Sequence, residues 1–424
     1  MKVHGSIRVP GDKSITHRAL LLASLAGGRS HIGGALTAFD ARSSARVLRA
    51  LGTKISPLVP DRLVVVEGKR RFVRPDGVLD CGNSGTTTRL LLGLLAGHRF
   101  RAILTGDASL RRRPMRRVTV PLGLMGARFV QDAERDGLPL TISGGALHRL
   151  SYEQPVSSAQ IKSCLLLAGV AAGVEVDVRE PHGRSRDHTE RMLRAFDYTV
   201  IDDNDGWVRL RPTGRLVPFD LQVPGDPSSA AFPIGAAILA EGGELHLAGV
   251  GVNPTRIGFF AVLERMGAHI RQEVLGEEGG EPVADLLVHP APLRATEVAA
   301  TEIPGLIDEI PLLAVLAARA EGTTIFRRVG ELRVKESDRL GLIAEDLRAV
   351  GVQAEVQGDD LCVTGSDRPP VGKVCTAGDH RLAMAFGVLG TVKGAKVTVD
   401  DRKCVGVSFP GFWEMLRKVG SGSR

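Results

Sequence analysis

The sequence predicts an α/β protein of two domains, each made of three repeats of a small unit, and three observations predict it. First, six polar or charged lead-ins each precede a short apolar, helix-like run, a Gly-rich or small-residue turn and an alternating, strand-like run. They are Asp12-Lys13-Ser14, Asn83-Ser84-Gly85-Thr86, Ser157-Ser158-Ala159-Gln160, Asp226-Pro227-Ser228-Ser229, Asp308-Glu309 and Asp379-His380-Arg381. Their spacing of roughly 70–80 residues is longer than the common solenoid periods. Second, Val9-Pro10-Gly11-Asp12 recurs as Val223-Pro224-Gly225-Asp226. Residues 18–34 (RALLLASLAGGRSHIGG) and 233–249 (PIGAAILAEGGELHLAG) continue the match, with Gly-Gly, His and a final Gly in register. Third, strand-like and helix-like runs alternate along the chain, which implies helices packed on sheets.

Taken in order, residues 41–51 carry apolar residues at helical spacing and 62–67 (RLVVVE) read as a strand. Residues 174–178 (VEVDV) read as a strand and 190–196 as a helix. Residues 259–266 and 338–350 are helical, and 396–399 returns to the strand pattern. Pro218 to Pro224 brackets one crossing between the halves, and the other falls near residues 10–13, where the first repeat begins. The expected domains are 13–222, and 1–12 with 223–424. The last residues, 420–424, read as a disordered end.

Composition narrows the function. At 424 residues the chain suits two domains. Aromatic residues make up only 4%, so the cores must be aliphatic and Ala-rich. The net charge of +7 comes mainly from Arg residues that are spread out and not gathered in a tail. A basic chain can bind nucleic acid, a membrane surface or acidic metabolites. Interleaved stacking aromatics are missing, which disfavours a single-strand nucleic-acid surface. Helix N-termini carry unpaired N–H groups and partial positive charge, so six of them at one place would make a site for a multiply charged small anion. The five cysteines stand far apart with no CxxC pair, against a disulfide framework or a zinc site and in favour of a reducing cytoplasm. The start MKVHGSIRVPG has no apolar signal region, and the longest apolar stretches fall short of a membrane span.

Several residues carry candidate chemistry. Lys13-Ser14 with Arg18 one turn later puts an ammonium, a hydroxyl and a guanidinium at a helix start. GxxxxGK[ST] is not satisfied there, so nucleotide use has little support. Gly85 allows close backbone approach of a ligand, with Arg89 behind it. Arg111-Arg112-Arg113-Pro114 is a cationic loop in which Pro114 can aim Arg113. Residues 157–160 with Lys162 offer hydroxyls at a helix start, suited to a phosphate. In Lys335-Glu336-Ser337-Asp338-Arg339, helical geometry would place Lys335 and Arg339 on one face, beside Glu336 as a proton carrier. Asp308 and Glu309 supply a second carboxylate, so acid and base roles can be divided by environment. No His/Cys/carboxylate set has metal-ligand spacing; His182 and His188 read as surface residues.

These motifs together resemble the 5-enolpyruvylshikimate-3-phosphate (EPSP) synthases. The resemblance rests on PGDKSITHRALLLASLA (10–26), GNSGTTTRLLLGLLAG (82–97), RRRPM (111–115), SSAQIKSCLLLAG (157–169), RDHTERML (186–193), LRVKESDRL (332–340) and DHRLAMAF (379–386), in order over essentially the whole chain. It implies the two-domain enolpyruvyl transferase fold, an inside-out α/β barrel in which each domain has three βαβαββ units and a cleft lies between the domains. It also implies transfer of the enolpyruvyl group of phosphoenolpyruvate to the 5-hydroxyl of shikimate 3-phosphate, by addition and then elimination, with no cofactor and no metal, in a cytoplasmic monomer.

By the same resemblance Lys13, Ser14, Arg18, Ser158, Ala159, Gln160, Arg186, Asp308 and Lys335 contact shikimate 3-phosphate. Lys13, Asn83, Gly85, Gln160, Arg113, Arg339 and Arg381 contact phosphoenolpyruvate. Asp308 is the base on the 5-hydroxyl, and Glu336, helped by Lys13, carries the proton at the enolpyruvyl methylene. Two departures place the chain nearer the divergent second class of the family. Val407 stands where many members have Lys, and Leu90 stands where the well-known forms have Pro. Glyphosate-tolerant members of that class often have Ala at the Gly85 position; Gly85 here implies inhibition by glyphosate. Two other readings stay open: the sister transferase acting on UDP-N-acetylglucosamine, whose characteristic loop Cys is missing from 109–115, and a non-catalytic binder of polyanions or RNA.

Overall fold

Each of the six lead-ins starts a helix in the computed structural model, which describes residues 2–131, 136–181, 183–202, 205–212 and 214–421. The helices are α1 (Lys13–Leu25), α2 (Gly85–Ala96), α3 (Ala159–Ala172), α4 (Pro227–Ile238), α5 (Ile310–Ala317) and α6 (His380–Leu389). Four have side-chain N-caps: Asp12 accepts from Ile15 N at 2.8 Å, Ser84 from Thr87 N at 3.1 Å, Asp226 from Ser228 N at 2.8 Å and Asp379 from Arg381 N at 2.9 Å. Each such cap stabilises its helix by about 1 kcal/mol and fixes where the first turn begins. Beyond the caps these helices are apolar nearly all round. Every residue of α4 and α5 is buried, as is α1 from Ile15 onward. A helix with no polar face must sit inside its domain.

The chain divides into two compact units. One comprises Gly11–Val223 with Glu277–Glu281; the other comprises Met1–Pro10, Pro224–Gly276 and Pro282–Arg424. We call them the α1–α3 unit and the α4–α6 unit. Each has its own aliphatic core. Within each, the three lead helices pack on one another, and sheets with one face outward surround them.

The sheets repeat one pattern. In the α1–α3 unit, Gly27–Gly33 pairs parallel with Asp220–Gln222 and antiparallel with Val64–Lys69, which pairs antiparallel with Lys54–Ile55. The strands Leu79–Asp80, Arg101–Thr105, Leu140–Ser143 and Arg128–Gln131 repeat this, as do Leu150–Glu153, Val176–Arg179, Trp207–Arg211 and Thr199–Asp202. In the α4–α6 unit, Ser6–Ile7 takes the outer parallel place beside Leu245–Gly251, which explains why the N-terminal residues belong there. Glu297–Val298, Thr323–Phe326, Asp360–Thr364 and Gln353–Gln357 form the next copy. The last is shortened to Val371–Val374 and Lys396–Val399, because the chain then enters a 3-10 turn, Cys404–Val407, and the helix Phe412–Ser421 instead of a hairpin.

The duplicated segment keeps its backbone. Gly28 and its counterpart Gly243 have φ of 141° and 99°, and Gly34 and Gly249 have φ of 65° and 63°. Only glycine adopts such values without cost, which accounts for the in-register glycines. One expectation fails at the C-terminus. Residues 420 and 421 close the helix Phe412–Ser421 and are not a disordered end; 422–424 lie outside the described residues.

Candidate functional site

In the α1–α3 unit the lead-in residues stand at three helix N-termini. Lys13 opens α1 and its ammonium lies 3.2 Å from Asp40 Oδ2; Ser14 is half-buried beside it. Arg18, one turn on, is buried and its guanidinium meets only neutral oxygens among the described residues. Nη1 donates to Ser14 O at 3.0 Å, Nε to Thr189 Oγ1 at 2.7 Å and Nη2 to Ser163 Oγ at 2.7 Å. Burial pulls its pKa down to about 10, opposed by Glu190 and more distant acids, so it stays charged at neutral pH.

At α2, Gly85 is buried just past its cap. Arg113 turns toward it, donating to Asn83 Oδ1 at 2.7 Å and Ser109 Oγ at 3.3 Å, while Asn83 Nδ2 donates to Asp107 Oδ2 at 2.6 Å. Arg111 and Arg112 are solvent-exposed. Arg89, left out of the expected contact set, donates to Gln160 Oε1 and to Pro114 O at 3.1 Å. Burial, with Arg113 and Arg117 nearby, lowers its pKa to about 10. Gln160 Nε2 also donates to Thr86 Oγ1 at 3.2 Å, so this residue ties α3 to α2.

At α3, Ser158 is the N-cap residue without a side-chain cap bond; it, Ala159 and Gln160 are half-buried, as is Arg186. Lys162 does not join them. It is buried between Glu180 Oε2 at 2.6 Å and Glu190 Oε1 at 2.8 Å. Burial pushes the Glu190 carboxyl up against the pull of Lys162. His188 is likewise not on the surface: it is 1% exposed, with Nδ1 2.7 Å from Glu281 Oε1. His182 lies outside the described residues.

No sequence motif singles out His17. Its Nδ1 lies 2.7 Å from Ser44 Oγ, Ser44 lies 2.8 Å from Thr87 Oγ1, and Thr87 donates to the α2 cap Ser84 at 2.7 Å. This buried chain links α1 to the α2 N-terminus. Burial, then Lys13 and Arg18, lowers the His17 pKa to about 3. The unfolded ring takes its proton near pH 6.5, so between these values the unfolded state holds more protons and stability is lost as pH falls. Chemical denaturation should show wild type losing up to about 1.4 kcal/mol per pH unit more than His17→Gln below pH ~6.5. Equal slopes would mean that His17 titrates normally in the fold.

The α4–α6 unit gathers carboxylates instead. Asp308 lies just before α5, with Oδ1 3.7 Å from Arg339 Nη1 and Oδ2 3.5 Å from Arg381 Nη2. Arg381 also donates to Asp308 O at 2.9 Å. Arg339 is fully buried. Nε donates to Asp379 Oδ2 at 2.7 Å and Nη2 lies 2.5 Å from Glu336 Oε2. Burial alone would lower its pKa; Asp379, Glu336 and Asp308 overcome that and raise it. Lys335 and Arg339 do not share a helical face. Lys335 follows the 3-10 helix Gly330–Val334, and the helix Arg339–Ala349 starts only after the cap Asp338. Lys335 pairs instead with Glu331 at 3.4 Å. Glu309 is buried, accepting from Ser228 Oγ at 2.5 Å, 3.6 Å from Arg381 Nη1. Val407 ends its 3-10 turn and supplies no cation there. Among the described residues no His/Cys/Asp/Glu group could hold a metal ion, and no helix is long and apolar enough to cross a membrane.

Residues 1–416 match the family described as EPSP synthase (3-phosphoshikimate 1-carboxyvinyltransferase). Proteins of that name from Xanthomonas axonopodis pv. citri and Acidiphilium cryptum are each 48% identical to the chain, covering 99% and 98% of it and 95% and 94% of themselves. The solved EPSP synthase from Acinetobacter baumannii superposes with a TM-score of 0.88 at 38% identity, over 99% of this chain and 96% of that one. An enolpyruvyl transferase from Streptomyces tendae, 19% identical with a TM-score of 0.78, shares the fold.

Proposed function

We propose how this chain, which belongs to the EPSP synthase family and transfers the enolpyruvyl group of phosphoenolpyruvate to shikimate 3-phosphate in the shikimate pathway, divides that work among its residues. One observation carries the division. In the α1–α3 unit the guanidiniums of Arg18, Arg89 and Arg113 rest on neutral oxygens, whereas the α4–α6 unit collects carboxylates around Arg339. Charge left uncancelled at helix N-termini binds anions; carboxylates held among cations move protons.

Lys13, Ser14, Arg18, Ser158, the Ala159 backbone, Gln160, Arg186 and Lys335 hold shikimate 3-phosphate. Asn83, Gly85, Arg113, Gln160 and Arg381 hold phosphoenolpyruvate with Lys13. Arg339 serves that substrate mainly by orienting Glu336 and Asp308, since three carboxylates already surround it. In the addition step Asp308 takes the proton of the 5-hydroxyl as its oxygen bonds to C2 of phosphoenolpyruvate, and Glu336 gives a proton to C3. In the elimination Glu336 takes a proton back from the new methyl group, the C2–O bond to phosphate breaks, and the proton held by Asp308 leaves with the phosphate. The enzyme works as a cytoplasmic monomer. Product identity tests this reading: NMR of the product should show an enolpyruvyl ether at the shikimate 5-oxygen. An ether on UDP-N-acetylglucosamine would keep the fold and overturn the substrate.

Gly85 provides a second check. A Cβ there would lie 3.3 Å from Arg113 Nη1 and 3.8 Å from Arg89 Nη1. Glyphosate should inhibit competitively with phosphoenolpyruvate, and Gly85→Ala should weaken the inhibitor by about tenfold or more, costing at least ~1.4 kcal/mol. Equal inhibition constants would show that no ligand approaches Gly85.

A further inference from the structure

Arg18 belongs to α1, yet its side chain is held mostly from elsewhere. Thr189, on the helix His188–Ala195, accepts from Nε, and Ser163, on α3, accepts from Nη2; Thr189 Oγ1 donates to Ser163 Oγ at 2.7 Å. The chain neighbours of these two residues form a second link between the same helices, the Lys162–Glu190 ion pair at 2.8 Å. A two-rung clasp results, with hydroxyls on one rung and charges on the other. Thr189 and Ser163 are fully buried, and neither figured among the expected site residues.

We propose that Thr189 and Ser163 are positioning residues that fix the Arg18 guanidinium without neutralising it. The inference rests on the reading that Arg18 contacts shikimate 3-phosphate. A carboxylate in either place would meet the same N–H groups, but would cancel the charge that the substrate needs. Glu190, next to Thr189 in the chain, is the nearest such hazard, and Lys162 occupies it. The three bonds made by Arg18 use three of the five N–H donors of a guanidinium, leaving one on each terminal nitrogen for an anion. Held on both sides, that pair is preorganised, which lowers the ordering cost of binding.

Thr189→Val keeps shape and removes the hydroxyl; Thr189→Ser keeps the hydroxyl. Thr189→Val should raise KM for shikimate 3-phosphate by about tenfold to a hundredfold, as for loss of a hydrogen bond to a charged group, with kcat and the phosphoenolpyruvate KM within about threefold of wild type. Thr189→Ser should restore the KM. Ser163→Ala gives the same readout should Thr189→Val fail to fold. An unchanged KM in Thr189→Val or Ser163→Ala, or a uniform fall in kcat and both affinities that Thr189→Ser does not reverse, would overturn the inference. Absence of turnover with shikimate 3-phosphate in the unmodified chain would instead remove the reading on which it rests.

Discussion

Glu336→Gln is expected to lower kcat by roughly 10²- to 10⁴-fold, the usual contribution of a positioned proton-transfer group, while leaving the fold intact. The replacement is nearly isosteric, and the amide oxygen can still accept from Arg339, which Glu336 meets at 2.5 Å. Asp379 continues to hold Arg339 from the other side at 2.7 Å. What disappears is the capacity to give a proton to C3 and take one back. Steady-state kinetics with both substrates saturating, beside a thermal melt, separates the two effects. Near-normal turnover in a folded Glu336→Gln variant would remove Glu336 from the chemistry.

The second large effect falls on stability. Arg339 is an ion-pair partner of Asp379, Glu336 and Asp308 together. Removing the cation of a buried ion pair leaves its carboxylate, here chiefly Asp379, desolvated without that charge, which costs about 3–5 kcal/mol. Arg339→Met should therefore lower Tm by about 6–20 °C at ~2–4 °C per kcal/mol for a unit of this size. The loss should grow as pH rises through the range where the carboxylates ionise. Asp379, itself the cap of α6, shows the sign. Burial would raise its pKa, but Arg339 holds it below the usual carboxylate range. Its contribution is present above its unfolded pKa and is lost as pH falls through the lower folded value. A Tm within a degree or two of wild type would show that the cluster is solvated.

Much of this was legible in the sequence, and the reasons are local. The lead-ins could be read because caps and apolar helical runs are neighbours in the chain: Asp12, Ser84, Asp226 and Asp379 each bond within three residues of themselves. The duplication could be read because positive-φ glycines leave a fixed signature, as at Gly34 and Gly249. What escaped depends on partners far apart in sequence. His188 reads as a surface residue until Glu281, 93 positions away, is found beside it. Lys162 reads as a phosphate ligand until Glu180 and Glu190 enclose it. His17 gave no signal, since its chain through Ser44 and Thr87 crosses three helices. The i, i+4 spacing of Lys335 and Arg339 shares a face only on a continuous helix, whereas Asp338 caps a new one between them. Arg89 stands behind Gly85 in the sequence, but its link to Gln160, 71 positions on, leaves no local signature.

The measurement that bears most directly on the central claim is release of inorganic phosphate from phosphoenolpyruvate by the purified chain, with and without shikimate 3-phosphate. The account predicts release that depends strictly on shikimate 3-phosphate and is not supported by UDP-N-acetylglucosamine. Release without shikimate 3-phosphate, release only with the sugar nucleotide, or none from the folded protein would contradict it.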